Sequence, residues 1–478
     1  MDLNRPDVYL QDVKTGASPI QSASTTIGIL IGAARSGVVG EPVLCGSWTE
    51  FIANFANGLE TPFMSNSDLP YAVYDFFANG GQQVYVVRVA SDSATKASVT
   101  GATNTDLTIT AKYKGVSSTV VKIKKNEDWT DANKLFDVTI SASSAEDGTV
   151  TIKEVTPSTI VNAINSNTFA KEWVVASGNV TTLAEETMTL IGGVDNVAGY
   201  TDSVYIGGLS ACDTIDDASF IAIPGQTSVA VHDAIMTYAD NHKLFPILDP
   251  PVNSEVKAVK TYRKSISAFT GALPYPWIYM YDPLTETNKL IPPSGFYMGV
   301  SARIIGERGV GKAPAGTEAV VRGAVALERV LTDSDISQLN PVGVVCIVPK
   351  TGAGIVVWGA RSLSSDAQMK YVSDGHINYN IKKSLYRGTQ FAVFESNDEA
   401  LWSRVRATCT DFLETLRINK VLKGSTPAEA YYVVCDSTNN TQTSIDNGIL
   451  YVDIGYAPQK PAEFIVFRLA HNMANASA

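Results

Sequence analysis

QFAVFESNDEALW (390–402), RVRATCTDFLETLR (404–417), STPAEAYYVVCD (425–436) and TNNTQTSIDNGILYVDIGYAPQKPAEFIVFRL (438–469) follow one another in the last third of the chain. The alternation in FAVFE predicts a strand. Ser396 and Glu399 form a capping box, and Leu401, Val405, Cys409, Phe412 and Leu416 fall on one stripe, which predicts a long amphipathic helix closed by Gly424. YYVVCD, ILYVDIGY and EFIVFRL then read as strands, and a helical stretch at 376–387 precedes the whole succession. This part of the chain is therefore a mixed α+β unit.

Upstream, residues 219–308 alternate strand and helix. FIAIPG, LFPILD and PWIYMYD read as buried strands. Between them lie VAVHDAIMTYADNHK and SEVKAVKTYRKSISAF, the second with Val256, Val259, Tyr262, Ile266 and Phe269 at helical spacing. A further helix is predicted from Ser294 to just before Gly309. This order predicts a mostly parallel sheet with right-handed crossovers. Residues 92–192 differ, being rich in Thr, Ser and Val with short alternating runs (LTITAKY, VVKIKK, FDVTISA, GTVTIKEV) that predict a small, peripheral all-β insert.

At the front, TTIGILIGAA and QVYVVRVA read as strands around two helices. Ser47 and Glu50 form a capping box before the first, whose face is Trp48, Phe51, Ile52 and Phe55. Asp68 precedes the second, which Asn79-Gly80-Gly81 stops. Residues 1–22 have extended character at Val8, Leu10 and Val13 with nothing local to cover it, so they are disordered or paired with another edge. The expected division is 1–22 an N-terminal extended arm, 23–91 the first part of an inner α+β domain, 92–192 a β-rich outer insert, 193–361 an α/β domain, 362–462 the second part of the inner domain, and 463–478 a C-terminal arm.

A chain of 478 residues, 45% hydrophobic and 18% charged, suffices for about three globular domains. Its net charge of −11, with no long Lys/Arg block, argues against direct nucleic-acid binding. The longest apolar runs, such as IGILIGAA at 27–34, are too short to cross a bilayer, and MDLNRPDVYL lacks signal-peptide order. Cys45, Cys212, Cys346, Cys409 and Cys435 are scattered and read as reduced core thiols.

The quoted C-terminal succession resembles the C-terminal domain of contractile tail sheath proteins, found in contractile-tailed phages, R-type bacteriocins and related injection machines. ERGVGKAPAG (307–316), LNPVGV (339–344), GIVVWGARSL (354–363), RPDVYLQDV, EPVLCGSWTEF (41–51) and FFANGGQQVYVVRV (76–89) resemble segments of the same family in the same order. Only residues 92–192 carry no specific likeness. The resemblance implies a subtilisin-like α/β domain without the enzyme's chemistry. It also implies a subunit that forms stacked hexameric rings, wound as a helix around an inner tube, and contracts to drive that tube through an envelope. The implied partners are further copies of the chain, the inner tail tube protein, and baseplate and tail terminator proteins, with no direct nucleic acid, no membrane insertion and no cofactor. Assembly is expected in the bacterial host cytoplasm, the product being a virion tail or released particle. The implied inter-subunit arms are Asp7, Val8, Tyr9, Leu10 and Val13 at the front and Glu463, Phe464, Ile465, Val466, Phe467 and Leu469 at the back, with a hinge at Gly16 and Pro19.

Enzymatic readings find little footing. GERGVGKA (306–313) has phosphate-loop spacing, but Ala313 replaces the metal-binding hydroxyl and Pro314 and Gly316 follow where a helix must begin. A hydrolase triad is the alternative function. His232 and His242 could serve with Asp213, Asp216 or Asp217, yet no serine occupies a nucleophile turn. Asp249 and Asp282 end strands but precede prolines, as turn formers do. No catalytic or metal-binding residues are expected.

Overall fold

The computed structural model describes residues 20–56, 61–142 and 148–468. Asp7, Val8, Tyr9, Leu10, Val13, Gly16, Pro19 and Leu469 therefore lie outside the described residues. The chain divides into two compact units, Ser24–His376 with Lys460–Ala478, and Met1–Ala23 with Ile377–Gln459.

The larger unit is organised by Gly28–Gly32, an apolar strand buried at every position. It pairs in parallel with Val84–Arg88 on one edge and Phe220–Ala222 on the other. Phe245–Pro246 extends the sheet in parallel, and Pro42–Cys45 closes the far side antiparallel. A single parallel bridge, Ile247 to Ala272, leads on to Pro274–Tyr275, Val345–Lys350 and Gly354–Val357. Both faces of the central strand are covered by helices, which is why the run is continuously apolar. Ile29 and Ile31 pack into one core with Tyr205 and Leu209 from the helix Asp202–Ser210. Gly28 and Gly32 look the other way, where an added Cβ would stand 2.4 Å from the Met298 sulfur and 2.8 Å from the Leu69 Cβ.

Those two covering side chains come from Leu69–Ala78 and Ser294–Arg308, the second buried from Ser294 to Ile305. Their close approach depends on glycine, because a Cβ at Gly295 would stand 2.5 Å from the Ala72 Cα and one at Gly299 2.6 Å from the Phe76 carbonyl. The helix ends fall where the sequence sets them.

Residues 92–192 build their own core around Ile109, Val121, Val138, Ile140, Ile160 and Ile164. One antiparallel sheet holds Glu186–Thr189, Val120–Lys125, Phe136–Ser141 and Thr149–Val155, and another holds Lys96–Thr100, Thr108–Lys114 and Val174–Ser177. The insert is not all-β. Ile160–Ser166 and Ala170–Trp173 are helices, held because Ile160 and Ile164, four residues apart, bury against the sheet.

Other expectations need correction. The expected inner domain joining 23–91 to 362–462 differs from the compact units, because the strands within 24–91 belong to the sheet of the larger one. PWIYMYD is not part of the parallel sheet. Ile278–Asp282 alternates buried and partly exposed residues and pairs antiparallel with Thr287–Ile291 and Ala324–Leu327, while Pro274–Tyr275 takes the parallel position. The helix expected to reach Phe269 ends at Lys264, where the Ser265 hydroxyl donates to the Tyr262 carbonyl and Arg263 Nη1 to that of Ile266, each over 2.7 to 2.8 Å.

In the smaller unit, Glu399–Ile418 buries Leu401, Val405, Cys409, Phe412 and Leu416 on one stripe. Its cap is Asp398 rather than Ser396, the carboxylate accepting from the Leu401 N–H at 2.9 Å. The chain leaves the helix through Lys420 at φ 60°, ahead of Gly424. FAVFE is no strand. Gln390–Ala392 is a 3-10 turn, and Phe394 has φ 67° and a fully exposed ring. Ser47 does accept from the Glu50 N–H at 3.2 Å, but the Glu50 carboxylate accepts from the Gly46 N–H, at 2.7 Å, one residue earlier than in a capping box.

His376 stands edge-on to Phe220 and Phe245 at 5.4 and 4.2 Å, with neither ring nitrogen hydrogen-bonded. Burial pulls its pKa down to about 3. Because the folded value lies below the unfolded one, near 6.5, the stability it supports is complete above that pH and is lost as pH falls toward 3. Between pH 6.5 and 4 the loss should be on the order of 3 kcal/mol. The urea midpoint of His376→Leu should therefore fall less over this interval than that of the wild type. Parallel pH profiles would contradict the assignment.

Candidate assembly interface

The segment after Gln459 returns to the larger unit and is fixed there by charge. Lys460 Nζ is 3.3 Å from the buried Asp374 carboxylate and 3.4 Å from the Gln368 carbonyl. Glu463 receives the Arg361 guanidinium through Nε at 2.9 and 3.2 Å and through Nη2 at 2.9 Å. Asn340 Nδ2 and the Tyr371 hydroxyl, the latter at 3.3 Å, donate to the same carboxylate. Burial pushes the Glu463 carboxyl up, but the hydrogen bonds from Arg361 and Asn340 and the Arg361 charge outweigh it and hold its pKa below the usual range. The fork geometry is the strong form of an ion pair.

Beyond this root the chain changes character within one residue. Phe464, Ile465, Val466 and Phe467 are 72, 76, 76 and 84% exposed. The expected strand EFIVFRL is absent because no edge in this chain lies alongside it among the described residues. Glu463, expected within the arm, is bonded here to Arg361, Asn340 and Tyr371 of its own chain. Four consecutive exposed apolar residues, their backbone groups without partners among the described residues, are a surface that water does not suit.

The smaller unit has the converse feature. Tyr431–Val434 and Asp453–Tyr456 form an antiparallel pair running from Tyr431 opposite Tyr456 to Val434 opposite Asp453. Among the described residues the sheet has only these two strands. Tyr431 is fixed by its hydroxyl, which donates to Glu414 at 2.9 Å, and Glu414 in turn holds Arg417. Tyr432 remains 60% exposed. Two-stranded sheets are marginal in water and both edges can accept further strands.

The candidate catalytic groups are scattered. His232 Nε2 stands 2.8 Å from the Gln226 carbonyl and Nδ1 2.7 Å from the Tyr262 hydroxyl, with burial lowering its pKa to about 4. Neither nitrogen meets a serine. His242 stacks on Tyr238 at 4.0 Å and lies 3.6 Å from Asp213 near its helix end. Asp249 is no simple turn former. It accepts from the Gly225 N–H at 3.0 Å and from the Ser294 N–H and hydroxyl at 2.9 and 2.7 Å, at the start of the buried helix. Burial nonetheless raises its pKa to about 7. Asp282 accepts from Tyr71, Leu284 and Thr285 within 2.9 Å. In GERGVGKA a helix precedes the loop, and Lys312 lies 3.7 Å from Glu318, which also holds Arg308 at 2.7 Å. Among the described residues no cluster of three or more His, Cys, Asp or Glu could hold a metal, and no helix is long and apolar enough to cross a membrane. All five cysteines are buried and unpaired.

The anchoring residues Lys460, Arg361, Asn340 and Tyr371 escaped sequence reasoning. Arg361 lies inside GIVVWGARSL, but nothing local signals a partner 102 residues away.

Residues 198–363 match the phage tail sheath protein central domain, and residues 364–471 the phage tail sheath C-terminal domain. The tail sheath protein of Vibrio phage KVP40 is 26% identical over 204 residues, which span 41% of this chain and 29% of that one. A putative prophage major tail sheath protein of Pseudomonas aeruginosa is 24% identical over 52% of this chain and 64% of its own length. In solved structures, the helical sheath of the anti-feeding prophage in its contracted state is similar with a TM-score of 0.62 and 20% identity, covering 98% of this chain and 99% of that one. The crystal structure of the sheath tail protein from Listeria innocua gives a TM-score of 0.65 at 14% identity, over 92% of this chain and 96% of that one. With both domain matches joining end to end across residues 198–471, this chain belongs to the contractile tail sheath family.

Proposed function

We propose that the chain is the structural subunit of a contractile sheath, polymerising as stacked hexameric rings around an inner tube and shortening to drive that tube through a target envelope. The observation that carries this reading is the run Phe464–Phe467, apolar and exposed, leaving an ion-paired root in a chain that also holds an open two-stranded sheet. Such a strand is completed by the sheet edge of another copy. Heterologous pairing of this kind propagates into an open helix rather than closing on itself. Asp7, Val8, Tyr9, Leu10 and Val13 are proposed as the second exchanged strand, with Gly16 and Pro19 as its hinge. The remaining partners proposed are the tube protein, baseplate and tail terminator proteins, with assembly in a bacterial host cytoplasm. We read residues 193–361 as a subtilisin-like scaffold without catalysis, since the nitrogens of His232 face a carbonyl and a phenol.

Contraction is then a rigid-body switch between two packings of one subunit. Burying one of the exposed side chains contributes about 1.5–3 kcal/mol, while ordering each residue costs about 1–2 kcal/mol. A single arm is thus a weak tie, and strength comes from its repetition around every ring.

Truncation after Glu463, or deletion of residues 1–18, should leave a folded, soluble subunit with near-normal circular dichroism that forms no long tubes in negative-stain microscopy. Full-length tubes from either truncation would refute strand exchange. Arg361→Ala should leave the core intact but loosen the root. Cleavage after Glu463 by a glutamate-specific protease should then accelerate roughly ten-fold or more, as loss of charge-assisted bonds worth about 1.5–3 kcal/mol requires; an unchanged rate would mean the pair bears no load. Lys312→Ala should assemble normally, and calorimetry should find no ATP binding that this substitution abolishes.

A further inference from the structure

A cavity of about 350 Å³ in the larger unit is lined by Arg263, Arg361 and Lys370, together with Ser364, Ser365 and Asp366. In a protein of net charge −11 this local excess of cations is unusual. Arg361 is already matched by Glu463. Asp366, the acid in the lining, accepts from the Gln368 N–H at 2.8 Å, and its own N–H donates to the Ser364 hydroxyl at 3.1 Å.

Arg263 has no such match. Its Nη1 donates to the Ile266 carbonyl at 2.8 Å and Nη2 to the Leu363 carbonyl, both neutral, while Nε is buried without a partner among the described residues. Burial lowers its pKa, and no neighbouring carboxylate opposes that shift. Lys370 makes no direct ion pair among the described residues, its ammonium standing 5.2 Å above the Tyr371 ring, although its charge adds to that of Arg361 in lowering the pKa of the Glu463 carboxyl. Withdrawing a guanidinium from water without a counter-charge costs several kcal/mol. The cavity that Arg263 lines, large enough for a tetrahedral or planar oxyanion and fringed by hydroxyls, offers room for a counter-charge beside the guanidinium.

We propose that this cavity is an oxyanion site, taking a phosphate or carboxylate group between Arg263 and Lys370. The group could come from a free anion or from an acidic side chain of a second copy of the chain. Only the second source rests on the sheath reading.

Isothermal titration of the full chain with inorganic phosphate, against chloride at fixed ionic strength, tests the site. Saturable binding is expected in the wild type, weakened roughly ten-fold or more by both Arg263→Gln and Lys370→Gln. The lysine variant leaves the carbonyl contacts of Arg263 in place, so a folding defect in the arginine variant does not blunt the test. If a neighbour's carboxylate is the occupant, phosphate also slows tube growth beyond the effect of chloride; if a free anion is, growth is indifferent to phosphate. No saturable binding at up to about 10 mM phosphate, ten times a millimolar Kd, or equal binding by wild type and both variants, overturns the site and leaves the sheath reading untouched.

Discussion

The pairing of Gly28–Gly32 on both edges is the constraint from which the larger unit follows. One edge is closed by Val84–Arg88, near in sequence, and the other by Phe220–Ala222, nearly two hundred residues away. The centre of the sheet is therefore laid down early in the chain and completed late, which makes its contacts strongly non-local. Everything between Arg88 and Phe220 must leave the sheet and return to it. Residues 92–192 accomplish this by folding around a core of their own. Arg88 ties the module back. Fully buried at the strand's end, it donates to the Ala34, Gly37 and Lys114 carbonyls within 2.8 Å and faces Asp195 at 3.6 Å.

The same economy of placement governs the buried helix Ser294–Arg308. Its first N–H and first hydroxyl both end on Asp249, so a carboxylate sits where the helix dipole is positive. Glycines at 295 and 299 then let it lie against Leu69–Ala78 at backbone distance. Strand ends that in an enzyme would present reactive groups are here consumed in holding helices.

How far the sequence reveals this depends on the range of the deciding interaction. Ser294–Arg308 and the stripe from Leu401 to Leu416 were legible, because helical spacing and terminal glycine act within a few residues. FAVFE was misread because its alternation has no partner strand, and a strand without an edge is only an exposed loop. PWIYMYD was assigned to the wrong sheet because buried strands of either kind look alike locally. Asp398 displaced Ser396 as a cap, a shift of two residues within one polar cluster. The anchor of the C-terminal segment was illegible, since the Glu463 contacts come from Asn340, Arg361 and Tyr371, separated from it by 92 to 123 residues.

Fixing Glu463 also sets a tether length. A fully extended chain advances about 3.3–3.6 Å per residue, so Phe464 to Phe467 reach no more than roughly 14 Å beyond the Glu463 backbone. Under strand exchange, a receiving edge must come within that radius in every state the particle visits. On the proposed strand exchange, the root would thereby act as a ruler that limits how far neighbouring subunits separate.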